Sequence, residues 1–290
     1  MRMPAAEVDV TVELVEELIK AQHPDLLAPL TMIANGWDNV IFRLGDDLLV
    51  RLPRRQAAAQ LVINEQRWLP TLAAHLPAQV PMPVRTGTPT DVFPWSWSIT
   101  RWLPGTTLIA LPVEQRSAYA PALGEFLAAL HRPAPAEAPP NPVRGVPLSD
   151  RVELAAEHLS SGHVPDADRL APLWQQLLDT PAWSSEPVWV HGDPHPANVL
   201  TDQGRLAAVI DFGDITSGDP ATDLAAGWLS FDATGRQLLR EHYRRHTELD
   251  DDTWQRARGW ALAIGMALVV NSDDNPELAA VGRHALTEVR

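Results

Sequence analysis

One stretch of this chain leaves little freedom for the fold around it. Val188-Trp189-Val190 is a short apolar run that ends directly in His191-Gly192-Asp193-Pro194-His195-Pro196-Ala197-Asn198. A second apolar run starts at Val199, a turn follows at Asp202-Gln203-Gly204, and a third run, Ala207–Ile210, ends in Asp211-Phe212-Gly213-Asp214. Short apolar runs bounded by turn residues predict buried strands. A buried strand that opens into a loop dense with polar groups is how a scaffold presents chemistry. A hairpin through Asp202-Gln203-Gly204 brings Asn198 and Asp211 near one another. Their amide and carboxylate oxygens are hard donors of the kind Mg²⁺ takes, and that ion keeps water and phosphate oxygens in its remaining positions. Asp193, offset from this pair, can accept a proton from a hydroxyl.

These parts meet the needs of phosphoryl transfer, which are positioning, a metal bridging phosphate oxygens and a base that orients the nucleophile. Asp-x4-Asn followed by Asp-Phe-Gly is the kinase arrangement, and the hairpin spacing makes the combination specific where Asp-Phe-Gly alone is not. Two other readings fit parts of the pattern. His191-x-Asp193-x-His195 has donors suited to zinc, as in a metallohydrolase, but that reading leaves Asn198 and Asp211 unused. A nucleotide-binding pseudoenzyme would not need a complete catalytic loop.

The sequence resembles the aminoglycoside phosphotransferase family, which includes macrolide kinases and choline kinase-like enzymes. The resemblance is carried by His191-Gly192-Asp193 with Asn198, by Ile210-Asp211-Phe212-Gly213, and by Gly218-Asp219-Pro220-Ala221-Thr222-Asp223-Leu224-Ala225. More loosely it runs from about Val12 to the C-terminus. It implies Asp193 as catalytic base and Asn198 and Asp211 as Mg²⁺ ligands. It also implies His195 near the transferred phosphoryl group and ATP or GTP as co-substrate. The acceptor it implies is a hydroxylated small molecule, an aminoglycoside first and a macrolide second, with a metabolic substrate as the alternative. Antibiotic resistance is the role that goes with the first two.

The rest of the chain reads as an α+β, bilobal protein-kinase-like fold. Residues 1–103 form a small β-sheet lobe that binds nucleotide, and residues 104–290 a larger, mostly helical lobe with the catalytic loop. Val12–Lys20 has a helical apolar face. Leu30–Ala34, Val40–Leu44 and Leu48–Leu52 read as strands, the last two joined at Gly45-Asp46-Asp47. Gln56–Leu76 reads as a helix ended or kinked by Pro70. Met82–Arg85 and Trp97–Leu103 complete five strands. Val113–Leu130 reads as one helix and Arg132–Pro142 as a Pro/Ala-rich linker or exposed loop. Further helices are expected at Arg151–Leu159, Asp168–Leu178, Asp223–Leu229, Arg236–His246, Thr253–Val270 and Glu277–Val289.

Kinases hold nucleotide phosphates with a lysine on the third strand, paired to a helix glutamate. Here Arg51 occupies that strand position and Glu65 is the expected partner. Lys20 is the single lysine and lies far away in the pattern. A guanidinium carries the same charge and can grip phosphate with two donors. Asn35 and Gly36, in Asn35-Gly36-Trp37-Asp38-Asn39, stand where a phosphate-covering turn belongs. Backbone around Thr100, Arg101 and Trp102 is the expected support for the nucleobase, and Trp95, Trp97 and Trp102 are candidates to line its site. His191 reads as a loop brace, and Asp219 and Asp223 as caps of a helix near Pro220.

A formal charge of −14 is the opposite of a nucleic-acid binder's basic footprint and favours a cationic acceptor, or simply solubility. There is no cysteine, so disulfides and thiolate chemistry are excluded. The first ten residues lack a signal-like apolar core, and Ala261–Val270 is too short to span a bilayer, so a cytoplasmic protein without membrane or nucleic-acid partners is expected.

Overall fold

Capping and apolar spacing place the first helix. The Thr11 hydroxyl accepts the Leu14 N–H at 3.3 Å and opens α1 (Val12–Gln22). Val15, Leu18 and Ile19 form its buried stripe. The computed structural model describes residues 5–248 and 250–290. It divides into two compact units, one running to Ala74 and including Gln79–Pro104, the other comprising Gly105–Arg290 with His75–Ala78.

In the first unit, α1 is followed by β1 (Leu30–Asn35), β2 (Asn39–Leu44), β3 (Leu48–Pro53), α2 (Gln56–Ala73), β4 (Pro83–Gly87) and β5 (Trp97–Arg101). The strands form one antiparallel sheet in the order β1-β2-β3-β5-β4. Alternation puts Phe42, Leu44, Val50, Leu52, Trp97 and Ile99 into a core shared with Val15 and Leu18 of α1. Pro70 neither ends nor splits α2, which continues to Ala73 with Leu69 and Leu72 buried on either side of it. Burial of those neighbours outweighs the one hydrogen bond a helical proline removes. Trp95 and Trp97 belong to this core instead of lining a ligand site; Trp97 meets the His23 ring edge-on and the Trp95 indole donates to Gln56 Oε1 at 2.8 Å.

Gly87 is opposite Trp97 in the sheet, and a Cβ there would overlap the indole. The buried ring has no room to retreat. Gly87→Ala is therefore expected to destabilise the protein by about 3 kcal/mol, the upper end of overpacking costs, read as a lowered denaturant midpoint.

The second unit runs through β6 (Thr106–Thr107), α3 (Val113–Arg116), α4 (Ala120–Leu130), α5 (Val152–Ser160), α6 (Ala167–Leu178), β7 (Val188–Val190), β8 (Val199–Asp202), β9 (Arg205–Val209), β10 (Thr216–Gly218), α7 (Ala221–Leu224), α8 (Ala226–Ser230), α9 (Ala233–Arg244), α10 (Asp251–Asn271) and α11 (Pro276–Glu288). Two small sheets, β10-β7 and β6-β8-β9, sit among the helices. Along α10, Trp254, Ala257, Trp260, Leu262 and Met266 are buried, and the helix packs on α5, α6, α7 and α11. Three expectations change here. Val113–Leu130 is two helices, because Pro121 lacks the N–H that a continuous helix needs and starts α4 instead. Asp223–Leu229 is likewise two short helices, α7 and α8. The Arg132–Pro142 segment is not a loose linker: Arg132 O accepts the Trp189 N–H at 2.9 Å and Ala134 N–H donates to Pro187 O at 3.0 Å, tying it to the strand that enters the catalytic loop. Among the described residues no helix is long and apolar enough to cross a membrane.

Candidate functional site

The loop after β7 is fixed by three layers of hydrogen bonds. Innermost is His191, fully buried. Its Nδ1 accepts the Asp193 N–H at 3.1 Å and its Nε2 meets Ile210 O at 3.0 Å. The ring lies 4.3 Å from that of Phe212. Nδ1 thus braces the loop internally while Nε2 ties it to the chain just after β9, the bracing role expected, and neither nitrogen is left for zinc. Gly192 has φ +92°, and a Cβ there would stand 2.7 Å from Asp214 O, so the position accepts glycine alone.

The second layer was not legible as such in the sequence. Asp223 is not a helix cap. It is completely buried, and its two oxygens accept the His191 N–H at 2.7 Å and the Gly192 N–H at 2.8 Å. His131 Nε2 adds a contact at 3.1 Å to the same carboxylate, and His131 Nδ1 meets the Tyr243 hydroxyl at 2.8 Å. Burial, then the charges of Asp223 and Asp219, push the Tyr243 phenol up, so its hydroxyl stays protonated. Asp219 does cap, accepting the Ala221 N–H at 3.0 Å, and also pairs with buried Arg256 at 2.7 Å. The one signal for Asp223 was its place in the Gly218–Ala225 motif.

The third layer holds the chemistry. Asp193 keeps its side chain 26% exposed. Arg144 Nη2 stands 3.3 Å from one of its oxygens and His195 Nε2 3.4 Å from the other. Burial pushes this carboxyl up more than any other single influence. The charges of His195 and Arg144, with the His195 hydrogen bond, outweigh it and hold Asp193 well below the usual carboxylate range. The same pairing raises His195: burial opposes its charge, but Asp193 and Asp211 prevail. Asn198 Nδ2 donates to Asp193 O at 2.9 Å, which leaves the amide oxygen as its acceptor. Ile210 N–H donates to Asn198 O at 2.9 Å, so the backbone of Asp211 follows directly beside Asn198, as the hairpin spacing requires. Asp211 itself has φ +62° and ψ +67°, a left-handed conformation uncommon outside glycine and concentrated at functional positions. The donor set of Asn198 and Asp211 fits Mg²⁺: two hard oxygens from the protein, with the rest left to phosphate and water.

Asn141 was missed inside Arg132–Pro142, read as a Pro/Ala-rich linker or exposed loop, and Arg144 lies just beyond it, where no element was expected. Asn141 Oδ1 accepts the N–H groups of Val143 and Arg144 at 2.8 and 3.1 Å, and its Nδ2 donates to Asp214 Oδ1 at 3.0 Å. Arg144 Nε is 3.6 Å from Asp214. Asp214 is pushed up, first by burial. Asp273 and Asp274 are exposed after α10.

Within the sheet unit, Arg51 of β3 meets Glu65 of α2. Arg51 Nη1 lies 2.6 and 2.7 Å from the two carboxylate oxygens. With the Asn39 amide oriented by its donors and acceptors, its oxygen accepts Arg51 Nε at 3.1 Å and Nη2 at 2.9 Å. Asn39 was not singled out in the sequence; it is two residues from Ile41, which faces Arg51 in the ladder. Asn35 and Gly36 form the β1–β2 turn, where Gly36 N–H donates to Asn39 O at 2.9 Å and Arg54 Nη1 donates to Gly36 O at 3.0 Å. Thr100 lies within β5 between Leu49 and Pro83. Trp102 is exposed, its ring 3.9 Å from the Arg43 guanidinium and its N–H bonded to Asp47 O. Lys20 pairs with Glu16 on α1 at 2.5 Å.

Residues 29–260 match the model of the phosphotransferase enzyme family. Over 79 residues the chain is 39% identical to hygromycin-B 4-O-kinase of Escherichia coli, a match covering 27% of this chain and 23% of that one. It therefore spans under a quarter of that relative. It is 26% identical over 212 residues to the protein YcbJ of Bacillus subtilis (strain 168), 67% of each chain. Among solved structures, the GDP and kanamycin complex of APH(2")-IIia superposes with a TM-score of 0.72 at 20% identity, covering 94% of this chain and 97% of that one. Macrolide 2'-phosphotransferase MphH of Brachybacterium faecium gives 0.64 at 20% identity, covering 95% and 97%. The chain belongs to the phosphotransferase enzyme family and shares the fold of the aminoglycoside and macrolide phosphotransferases.

Proposed function

We propose that this kinase moves the γ-phosphate of ATP or GTP to a hydroxyl of a small hydroxylated acceptor, with Asp193 as the base. The observation that carries the reading is the bonded loop itself. Asp193 is partly exposed while its backbone, Asn198 and the Asp211 turn are locked to one another. In the reaction the acceptor oxygen forms a bond to the γ-phosphorus and the bond to the β-bridging oxygen breaks. The hydroxyl proton passes to Asp193, and ADP or GDP leaves. His195, whose Nε2 lies 3.4 Å from the Asp193 carboxylate, is assigned the contact to the transferred group. Asn198 and Asp211 would hold Mg²⁺, which supplies neutralisation of phosphate charge.

Arg51 takes the role of the strand lysine toward the nucleotide phosphates, oriented by Glu65 and Asn39. Asn35 and Gly36 supply the covering turn, and the strand end from Thr100 to Trp102 supports the base. Arg51→Ala should weaken nucleotide binding about 10- to 100-fold, the worth of one or two charge-assisted hydrogen bonds; an unchanged calorimetric Kd would remove Arg51 from the site.

The acceptor is proposed to be of antibiotic type. The support is the hygromycin-B kinase relative and the aminoglycoside and macrolide phosphotransferases that share the fold. The test is nucleotide consumption with ATP and with GTP over aminoglycosides, macrolides and small hydroxylated metabolites, with and without chelator. Turnover confined to metabolites would end the antibiotic reading. Undiminished turnover in chelator would end the Mg²⁺ assignment.

A further inference from the structure

A strap of the helical unit, residues 139–145, runs past the catalytic loop with no helix or strand of its own. Its backbone is held without help from the Arg144 side chain. Thr216 Oγ1 donates to Pro139 O at 2.8 Å, and Asn141 Oδ1 accepts the N–H groups of Val143 and Arg144. Gly145 N–H donates to Thr222 Oγ1 at 3.1 Å, and Gly145 O accepts the Asp219 N–H at 3.0 Å. A Cβ on Gly218 would stand 2.0 Å from Gly145 O, so the missing side chain lets the strap close on β10. The Gly218–Ala225 motif therefore has two tasks. Asp223 holds the catalytic loop, while Gly218, Asp219 and Thr222 hold the strap.

What the strap presents is Arg144. The arginine stem passes beside Gly192, where a Cβ would stand 3.2 Å from Arg144 Cγ. Its guanidinium reaches two carboxylates, with Nη2 3.3 Å from Asp193 Oδ1 and Nε 3.6 Å from Asp214 Oδ2. Asn141 Nδ2 donates to the other Asp214 oxygen at 3.0 Å. One asparagine thus fixes both the strap backbone and the carboxylate that steadies the arginine. His195 Nε2 lies 3.4 Å from Asp193 Oδ2. A carboxylate with a guanidinium at one oxygen and an imidazole at the other has its rotamer and its plane set. Fold stability is a weak reason for the arrangement, because ion pairs withdrawn from water return little net free energy. Geometry is a strong one, since a general base works only within hydrogen-bond reach of its proton and small misplacements cost rate.

We propose that Arg144 is a positioning residue for the base: it holds the Asp193 carboxylate by Oδ1, and Asn141 acts through it. The effect on rate rests on the kinase reading; the effect on the Asp193 side chain does not. Arg144 touches no reacting atom in this assignment.

Kinetics and crystallography of the full chain test it. Nucleotide consumption is followed with ATP and with GTP, using kanamycin, hygromycin B or water as acceptor. Arg144→Ala should lower kcat about 10- to 100-fold, the worth of a charge-assisted hydrogen bond, with the calorimetric nucleotide Kd and the acceptor KM nearly unchanged. Arg144→Lys should recover part of the rate. Added guanidinium ion should restore part of it to Arg144→Ala and none to Asn141→Ala, which keeps its own arginine. Asn141→Ala should lower kcat less than Arg144→Ala, and the double variant should fall no further than Arg144→Ala alone, because residues acting as one unit are not additive. In a crystal structure of Arg144→Gln, the backbone of 191–198 should stay in place while the Asp193 carboxylate turns away or splits between rotamers. An Asp193 carboxylate as well fixed as in wild type overturns the proposal. So does a loss of nucleotide affinity equal to the loss of rate, which would make Arg144 a phosphate ligand, and so do additive effects of Asn141→Ala and Arg144→Ala. If wild type consumes no nucleotide with any of these acceptors or those of the wider screen, the kinase reading fails, and the Asp193 side chain in Arg144→Gln still decides the positioning role.

Discussion

Asp193→Asn is expected to lower kcat about 10²- to 10⁴-fold, the range that a positioned general base contributes, with nucleotide affinity almost unchanged. The substitution keeps the shape of the side chain, and the loop needs only the backbone of residue 193 for its bonds to His191 and Asn198. What disappears is the carboxylate held between Arg144 and His195. Single-turnover rates with a confirmed acceptor, alongside the nucleotide Kd, separate the two effects. A variant that retained most of its activity would contradict the base assignment.

The second large effect is expected at Asp223, which touches no reacting atom. Its carboxylate is the common acceptor for the N–H groups of His191 and Gly192 and for His131. Asp223→Asn offers one carbonyl oxygen and an NH₂ that faces donors. At least one buried N–H is then left without an acceptor, and the charge that strengthened the others is gone. A loss of about 3–5 kcal/mol is expected, the cost of breaking a buried, hydrogen-bonded charge. The readout that separates positioning from mere stability is kcat measured well below the new melting temperature. Because His191 and Gly192 set the direction of the Asp193 backbone, kcat should stay reduced there while the nucleotide Kd does not. Recovery of full kcat in the folded variant would make Asp223 purely structural.

Legibility followed the range of the interactions involved. The five strands, the hairpin beside Asn198 and the brace at His191 could be read because each depends on neighbours close in sequence: an apolar run, a turn, a fixed spacing. The Asp223 clamp could not, since its carboxylate acts 31 and 32 residues away, and from sequence alone Asp-after-Pro looks the same as a helix cap. Arg144 was invisible for a related reason. Nothing in the segment 132–146 has a period, and its order comes from the Asn141 side chain bonding the backbone of Val143 and Arg144 and from Gly145 N–H reaching Thr222 Oγ1 at 3.1 Å. The break at Pro121 was readable in principle, but the apolar pattern on both sides of it argued for one continuous helix.

The arginine in β3 has a practical consequence for anyone profiling enzymes of this kind. Nucleotide-shaped electrophiles that label kinases do so by acylating the strand lysine, and a guanidinium, protonated at any workable pH, gives them no free amine to attack. The one lysine in the chain is on α1, engaged with Glu16. Such a reagent would pass over this chain whatever its activity, and a survey built on it would score the protein as inactive. Dicarbonyl reagents that condense with guanidinium are the matching chemistry, and protection of Arg51 by nucleotide would be their signal.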